Sequence, residues 1–399
     1  MGPARIGFCV ILSFALHAGY ATAAPWNLST LSAAPQSHPA PDFNEPGVSA
    51  LFYDGPAYKG QPTRVFAWYG APEHKEGERL PAMVLVHGGG GTAFAEWVRL
   101  WNSRGYAAIA MDTCGCVPKG TYANWTRHEH GGPAGWGDFE NVDSPVEDQW
   151  TYHAVADVLL AHSLVRSFPE VDSERTGITG ISWGGYLTCI AASVDNRFKC
   201  AVPVYGCGHL GDNSAWLGDF EKMGPEKAQR WLSLWDPAVY LPEAAMPFLW
   251  VNGTNDFAYP MDSWQKSYRL TKRSATLALR VRMPHGHGGA GENPEEIHAF
   301  ANHILKGGEG LPVVESPTQA AQEVTVHYTA AASIASAELL YTQDSGKWQD
   351  RNWQSQPATL EPATQTVKAT LPESTSVYYI NLIDPQGQVT SSPHATPIK

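Results

Sequence analysis

The chain has 399 residues, 43% of them hydrophobic and 17% charged. That is enough to bury one large core and a small second one, and it excludes a disordered or fibrous polymer. The formal net charge of -12 leaves no basic stripe to meet phosphates, which excludes nucleic acid as the main partner. A small-molecule or polysaccharide substrate fits this balance, and oligomeric state is not determined by it.

At the N-terminus, Arg5 precedes an apolar run over 6–18 and the small-residue stretch Ala21-Thr22-Ala23. This order reads as a secretory signal over 1–23, too short to anchor in a bilayer, so a secreted or periplasmic protein without membrane attachment is expected. Past the signal there are five cysteines, Cys114, Cys116, Cys189, Cys200 and Cys207, an odd number in a compartment that permits disulfides. One bridge between the 114–116 loop and Cys207 is an expectation; buried free thiols are the equal alternative.

Residues 24–47, rich in Pro, Ser and Ala, read as an irregular arm. Strands follow over 48–53 and 63–69 around a Gly/Pro turn. Short apolar runs at 81–87, 107–112, 176–182, 200–205, 248–252 and 277–283 then alternate with helical spacing at 97–104, 147–167, 264–272 and 294–305. That alternation predicts an α/β domain over 48–311, with a mostly parallel sheet covered by helices on both faces. From 312 to 399 the runs alternate apolar and polar residues, which predicts a small antiparallel β-sandwich. It has no catalytic constellation and reads as an accessory clamp, with Trp348 and Trp353 leaving a carbohydrate-binding role open.

The strongest chemical signal is Gly180-Ile181-Ser182-Trp183-Gly184-Gly185, set between a strand and a helix. Glycines on both sides allow the sharp turn that lifts a serine hydroxyl off the carboxyl end of a sheet, and the helix start faces the charge that develops there. Upstream, His87-Gly88-Gly89-Gly90-Gly91 ends an earlier strand. Glycine lets amides approach an oxyanion, and the amides of Gly89 and Trp183 are the candidate donors. No Lys-Ser/Thr follows, so it is not a nucleotide-binding loop.

An acid is expected after a later strand, and Asp256 stands there, with Asp212 as the weaker candidate. The base comes last, from Met283-Pro284-His285-Gly286-His287. His287 is favoured because three or four residues beyond the strand bring a ring back over the sheet edge; His285 is the alternative. His128-Glu129-His130 and the two late histidines lack an evident further ligand, so no metal is expected.

The four runs containing His87–Gly90, Gly180–Gly184, Asn252–Asp256 and Met283–His287 resemble the α/β-hydrolase superfamily, more narrowly its secreted acetylxylan-esterase-like and prolyl-oligopeptidase-like serine hydrolases. The resemblance covers residues 48–305. It implies an eight-stranded sheet and a two-step acyl-enzyme mechanism without a cofactor, but leaves the substrate open. Trp125, Trp136 and Trp216, in loops near the carboxyl edge of the sheet, are candidate substrate-binding residues for sugar or aromatic faces. The leading expectation is a carboxylic ester hydrolase acting on acetyl or feruloyl esters of plant polysaccharide. A prolyl-oligopeptidase-like peptidase is the alternative; such relatives usually carry a propeller that residues 24–47 are too short to build. A catalytically dead binding protein is the third reading.

Overall fold

The computed structural model describes residues 24–398, so the signal expected over 1–23 lies outside the described residues. A short helix α1 (Leu28–Leu31) and strand β1 (Ser37–Pro39) precede a long hairpin of β2 (Ser49–Tyr58) and β3 (Gln61–Gly70). The expected irregular arm thus supplies a strand, because β1 pairs antiparallel with β2. The chain continues through β4 (Leu80–Val86), α2 (Ala95–Ser103), β5 (Ala107–Met111), a small hairpin of β6 (Cys116–Thr121) and β7 (Asn124–Arg127), α3 (Trp150–Val165) and β8 (Val171–Ile181). It then forms α4 (Trp183–Val194), β9 (Cys200–Val204), α5 (Leu217–Met223), α6 (Pro225–Trp235), β10 (Leu249–Gly253), α7 (Met261–Tyr268), β11 (Thr276–Arg280), α8 (Gly289–Glu292) and α9 (Glu295–Lys306).

These strands make one nine-stranded sheet in the order β1-β2-β3-β5-β4-β8-β9-β10-β11. From β5 through β11 every neighbouring pair is parallel. The sheet has nine strands rather than the expected eight because β1 extends its edge. Parallel strands covered on both faces must be apolar throughout, and β4, β5, β9 and β10 are buried along their whole length. Helix α3 lies so deep that Tyr152 is its only residue not fully buried, as expected of a helix apolar all round.

Eight further strands form the C-terminal antiparallel sheet: β12 (Val313–Val314), β13 (Thr318–Ala320), β14 (Glu323–Thr329), β15 (Ser336–Thr342), β16 (Gln354–Glu361), β17 (Thr366–Thr370), β18 (Val377–Ile383) and β19 (Val389–Ser391). Its inward residues, among them Val326, Leu339, Val367 and Ile380, build a separate core. The sheet docks on the edge of the catalytic unit, where Ser391 Oγ accepts from the Leu279 amide at 2.8 Å and Asn381 Nδ2 donates to Leu279 O at 3.3 Å. The fully buried Glu296 bonds both Arg280 and the Val389 amide, tying α9, β11 and β19 together. Trp353 is buried against Tyr379, and Arg351 covers one face of Trp348 at 3.7 Å. Burial removes Trp353 as an open sugar platform, whereas Trp348 is half-buried and borders a cavity. All five cysteines of the described chain are free thiols, so the 114–116 loop and Cys207 are not bridged.

Several histidines are buried in neutral form. Desolvation lowers His87 and His298 to about 3, and His153, His162 and His394 to about 4. The unfolded chain binds protons at these sites near pH 6.5 while the folded chain does not. Their contribution to stability is therefore full above pH 6.5 and is lost progressively as pH falls toward 4. Burial raises Asp112 to about 6, which works in the opposite direction between its ordinary value and about pH 6. His298, both of whose ring nitrogens lack a partner while the ring packs on Trp101 at 4.6 Å, isolates the effect. His298→Leu is expected to flatten the fall of Tm between pH 7 and pH 5, read by calorimetry; an unchanged slope refutes it.

Candidate active site

Ser182 directly follows β8 and opens α4 with φ 58° and ψ -118°, a strained conformation for a residue with a side chain. The surroundings enforce it. The Ser182 amide donates to Val204 O at 2.9 Å, fixing the turn to the end of β9. A Cβ at Gly180 would overlap the Gly184 carbonyl, and one at Gly184 the Val86 carbonyl, so the turn closes only with glycine there. The Ser182 side chain does not cap its helix. Trp183 is the first helical residue, so its amide has no carbonyl a turn earlier to bond.

The glycine-rich loop lies against this turn: a Cβ on Gly88 would come within 3.0 Å of Ser182 Cβ. The carbonyls of Gly88, Gly89 and Gly90 are all committed. His87 Nδ1 and the Gly91 amide both lie 3.0 Å from Gly88 O. Tyr122 Oη donates to Gly89 O at 2.7 Å, and Trp125 Nε1 to Gly90 O at 2.9 Å. Among the described residues the amide of Gly89 has no hydrogen-bond partner. His87 is kept neutral by its burial and accepts the Thr113 amide through Nε2 at 3.1 Å. Asp112 in turn holds the next turn by accepting the Cys114 and Cys116 amides at 2.8 and 2.7 Å.

Asp256 stands three residues beyond β10, almost fully buried. Its Oδ1 accepts the amides of Ala258 and Tyr259 at 2.9 and 2.7 Å, and its Oδ2 meets His285 Nδ1 at 2.7 Å. The structure thus joins Asp256 to His285, not to the favoured His287. His285 lies between Tyr205, stacked at 4.4 Å, and Phe257 at 5.0 Å, and no protein partner is recorded for its Nε2 among the described residues. His287 is engaged elsewhere. Its Nδ1 meets Glu292 at 3.0 Å and its Nε2 accepts the Gly88 amide at 3.0 Å, which occupies the lone pair a base requires. The stretch His285-Gly286-His287-Gly288 offers two imidazoles, and spacing alone does not say which one meets the carboxylate. Asp212 is half exposed and paired with Lys266 at 2.7 Å, away from both histidines' bonds.

Two of the three candidate loop tryptophans lie near the Ser182 turn. Trp216 packs on Trp183 at 4.5 Å, and a Cβ on Gly89 would touch the Trp183 indole at 3.0 Å and reach Trp136 at 4.0 Å. Trp125 instead holds the loop through Gly90. The roles of Tyr205, Phe257 and Glu292 were not legible in the sequence, since none belongs to a motif. The C-terminal sheet also reaches the site: Asn255, beside the acid, donates to Gln349 O and Arg351 O at 2.9 Å each. A cavity of about 570 Å³ opens next to Phe257, between Asn213–Leu217 and Gly346–Arg351. The His128–His130 turn stays on the surface, and no group of three candidate metal ligands occurs among the described residues.

Residues 37–213 match the acetyl xylan esterase family model, and residues 140–306 match that of the prolyl oligopeptidase family. The two matches overlap on the Ser182 turn. The chain belongs to the α/β-hydrolase superfamily. YuxL, an uncharacterized peptidase of Bacillus subtilis (strain 168), is 25% identical to this hydrolase over 235 residues, 55% of the chain and 33% of YuxL. The hydrolase spans about a third of the length of the curated relatives it matches. Among solved structures, an acetyl xylan esterase from Paenibacillus sp. R4 superposes with a TM-score of 0.55 at 23% identity, covering 70% of this chain and 92% of that one. An acylaminoacyl peptidase of Pyrococcus horikoshii gives 0.50 at 22% identity over 67% of this chain and 44% of its own. At these identities the superpositions establish a shared fold.

The pairing makes a direct kinetic prediction. His285→Ala is expected to lower kcat by about 10²–10⁴-fold, the range for loss of a positioned general base, and Asp256→Ala should fall steeply as well. Asp212→Ala should stay within about twofold in the same p-nitrophenyl acetate assay, and a steep loss there would move the acid to the earlier loop.

Proposed function

We propose that the protein is a secreted esterase that removes small acyl groups, acetyl above all, from esterified plant polysaccharide. Ser182 is the nucleophile, His285 the base and Asp256 the residue that holds its tautomer; the amides of Gly89 and Trp183 form the oxyanion hole. His285 Nε2 takes the Ser182 hydroxyl proton as Oγ attacks the ester carbonyl. The tetrahedral intermediate collapses as His285 passes that proton to the leaving alcohol oxygen, and water then releases the acid by the same steps. Each oxyanion donor contributes on the order of 3 kcal/mol to lowering the barrier. Secretion rests on the 1–23 signal pattern.

The observation that carries the choice of acyl group is that the indoles of Trp183 and Trp136 both crowd the side of Gly89 where a Cβ would stand. That bulk favours an acetyl over a long acyl chain or a feruloyl group. The match to the acetyl xylan esterase model, which spans both the glycine loop and Ser182, supports an ester substrate. A peptidase is the second reading, favoured by the prolyl oligopeptidase match over Ser182, Asp256 and His285.

Purified protein should hydrolyse p-nitrophenyl acetate and release acetate from acetylated xylan, with p-nitrophenyl octanoate and methyl ferulate slower by at least about tenfold, the scale of apolar pocket discrimination. Ser182→Ala should abolish both activities. Faster turnover of an aminoacyl-p-nitroanilide would favour the peptidase, and silence on every substrate would refute catalysis at this site.

A further inference from the structure

His287, a candidate base in the sequence, occupies a second histidine–carboxylate pair alongside the first. The Gly88 N–H can only donate, so His287 Nε2, 3.0 Å away, must be the unprotonated acceptor. The proton then sits on Nδ1, which donates to Glu292 Oε1 at 3.0 Å. Phe94, just before α2, and Trp97 within it enclose the ring, with centroids at 4.7 and 6.0 Å, and His287 and Glu292 expose only 12% and 11% of their side chains. A bond this enclosed, made to a backbone amide rather than to another side chain, fixes the position of the chain itself.

The peptide it fixes joins His87 to Gly88, one before the Gly88–Gly89 peptide that carries the Gly89 amide. The loop's carbonyls are held from the far side by Tyr122, Trp125 and His87, and His287 supplies the bond on the amide side, next to Ser182. An oxyanion donor works only if it is already aimed where charge will develop. We infer that His287, oriented by Glu292, is a positioning residue that aims the Gly89 amide at the oxyanion, while the Asp256–His285 pair moves the proton. The inference rests on the proposed Ser182 mechanism. It gives the two histidines of one Gly-rich loop separate duties: one serves the nucleophile and the other the oxyanion hole.

The test separates positioning from mere structural support. A trifluoromethyl ketone adds to Ser182 by forming an Oγ–C bond, with the serine proton passing to His285 and no group leaving, so the adduct carries the oxyanion itself. His287→Leu keeps the bulk but cannot accept from Gly88. It is expected to lower kcat for p-nitrophenyl acetate by about 10–10²-fold, less than the ~10²–10³ for deleting a donor outright, with KM within about threefold. Affinity for the ketone should drop by a similar factor as kcat.

His287→Gln, whose side-chain oxygen can accept the Gly88 amide, should recover most of that loss. Glu292→Gln, which still accepts from Nδ1, should exceed Glu292→Ala in kcat. These two conservative variants carry the test if His287→Leu does not fold. Unchanged kcat in His287→Leu, a fall in kcat without a fall in ketone affinity, or Gln variants no better than Leu and Ala would each overturn the inference. If the wild-type protein neither turns over esters nor binds the ketone, the Ser182 reading itself fails and the inference falls with it.

Discussion

The site is built on a backbone turn that a side-chain-bearing residue adopts only under compulsion. At φ 58° Ser182 stores strain on the order of 1–3 kcal/mol, and it is held there because β4, β8 and β9 run parallel and end at one rim. Val204 accepts the Ser182 amide from one side. From the other, the Val86 carbonyl presses so close to Gly184 that no side chain fits between them. The rigidity of a sheet buried on both faces thus sets the place of one hydroxyl.

The same rim solves an accounting problem. Each loop that leaves the sheet exposes backbone groups that must find partners or water. The 87–91 loop satisfies its carbonyls with Tyr122, Trp125 and His87 and leaves the Gly89 amide open. The acid loop satisfies two amides with the carboxylate that also meets His285. The C-terminal sheet joins this economy through Asn255, whose side chain binds two of its carbonyls one residue from the acid. The C-terminal unit thereby steadies the loop that carries Asp256.

Much of this was legible in the sequence. Continuous apolar runs at 81–87, 107–112 and 200–205 marked strands buried on both faces, and the glycines around Ser182 marked the turn, because both follow from local sterics and burial. Less visible were β1, whose Ser-His-Pro carries no strand pattern and pairs only because β2 offers an edge, and the helices α5 and α6 between β9 and β10. The free thiols, too, depended on distances between loops that no spacing in the chain encodes.

The sequence by itself determined the alternation of strand and helix, the order of Ser182, Asp256 and the two late histidines along the chain, and the glycines that permit each turn, since these depend on neighbours a few residues apart. Only the tertiary structure decided which imidazole meets Asp256. His285 and His287 sit two residues apart in one glycine-rich stretch, and the choice between them is made by the nearby Glu292 together with Tyr205 and the Gly88 amide, partners brought from distant parts of the chain.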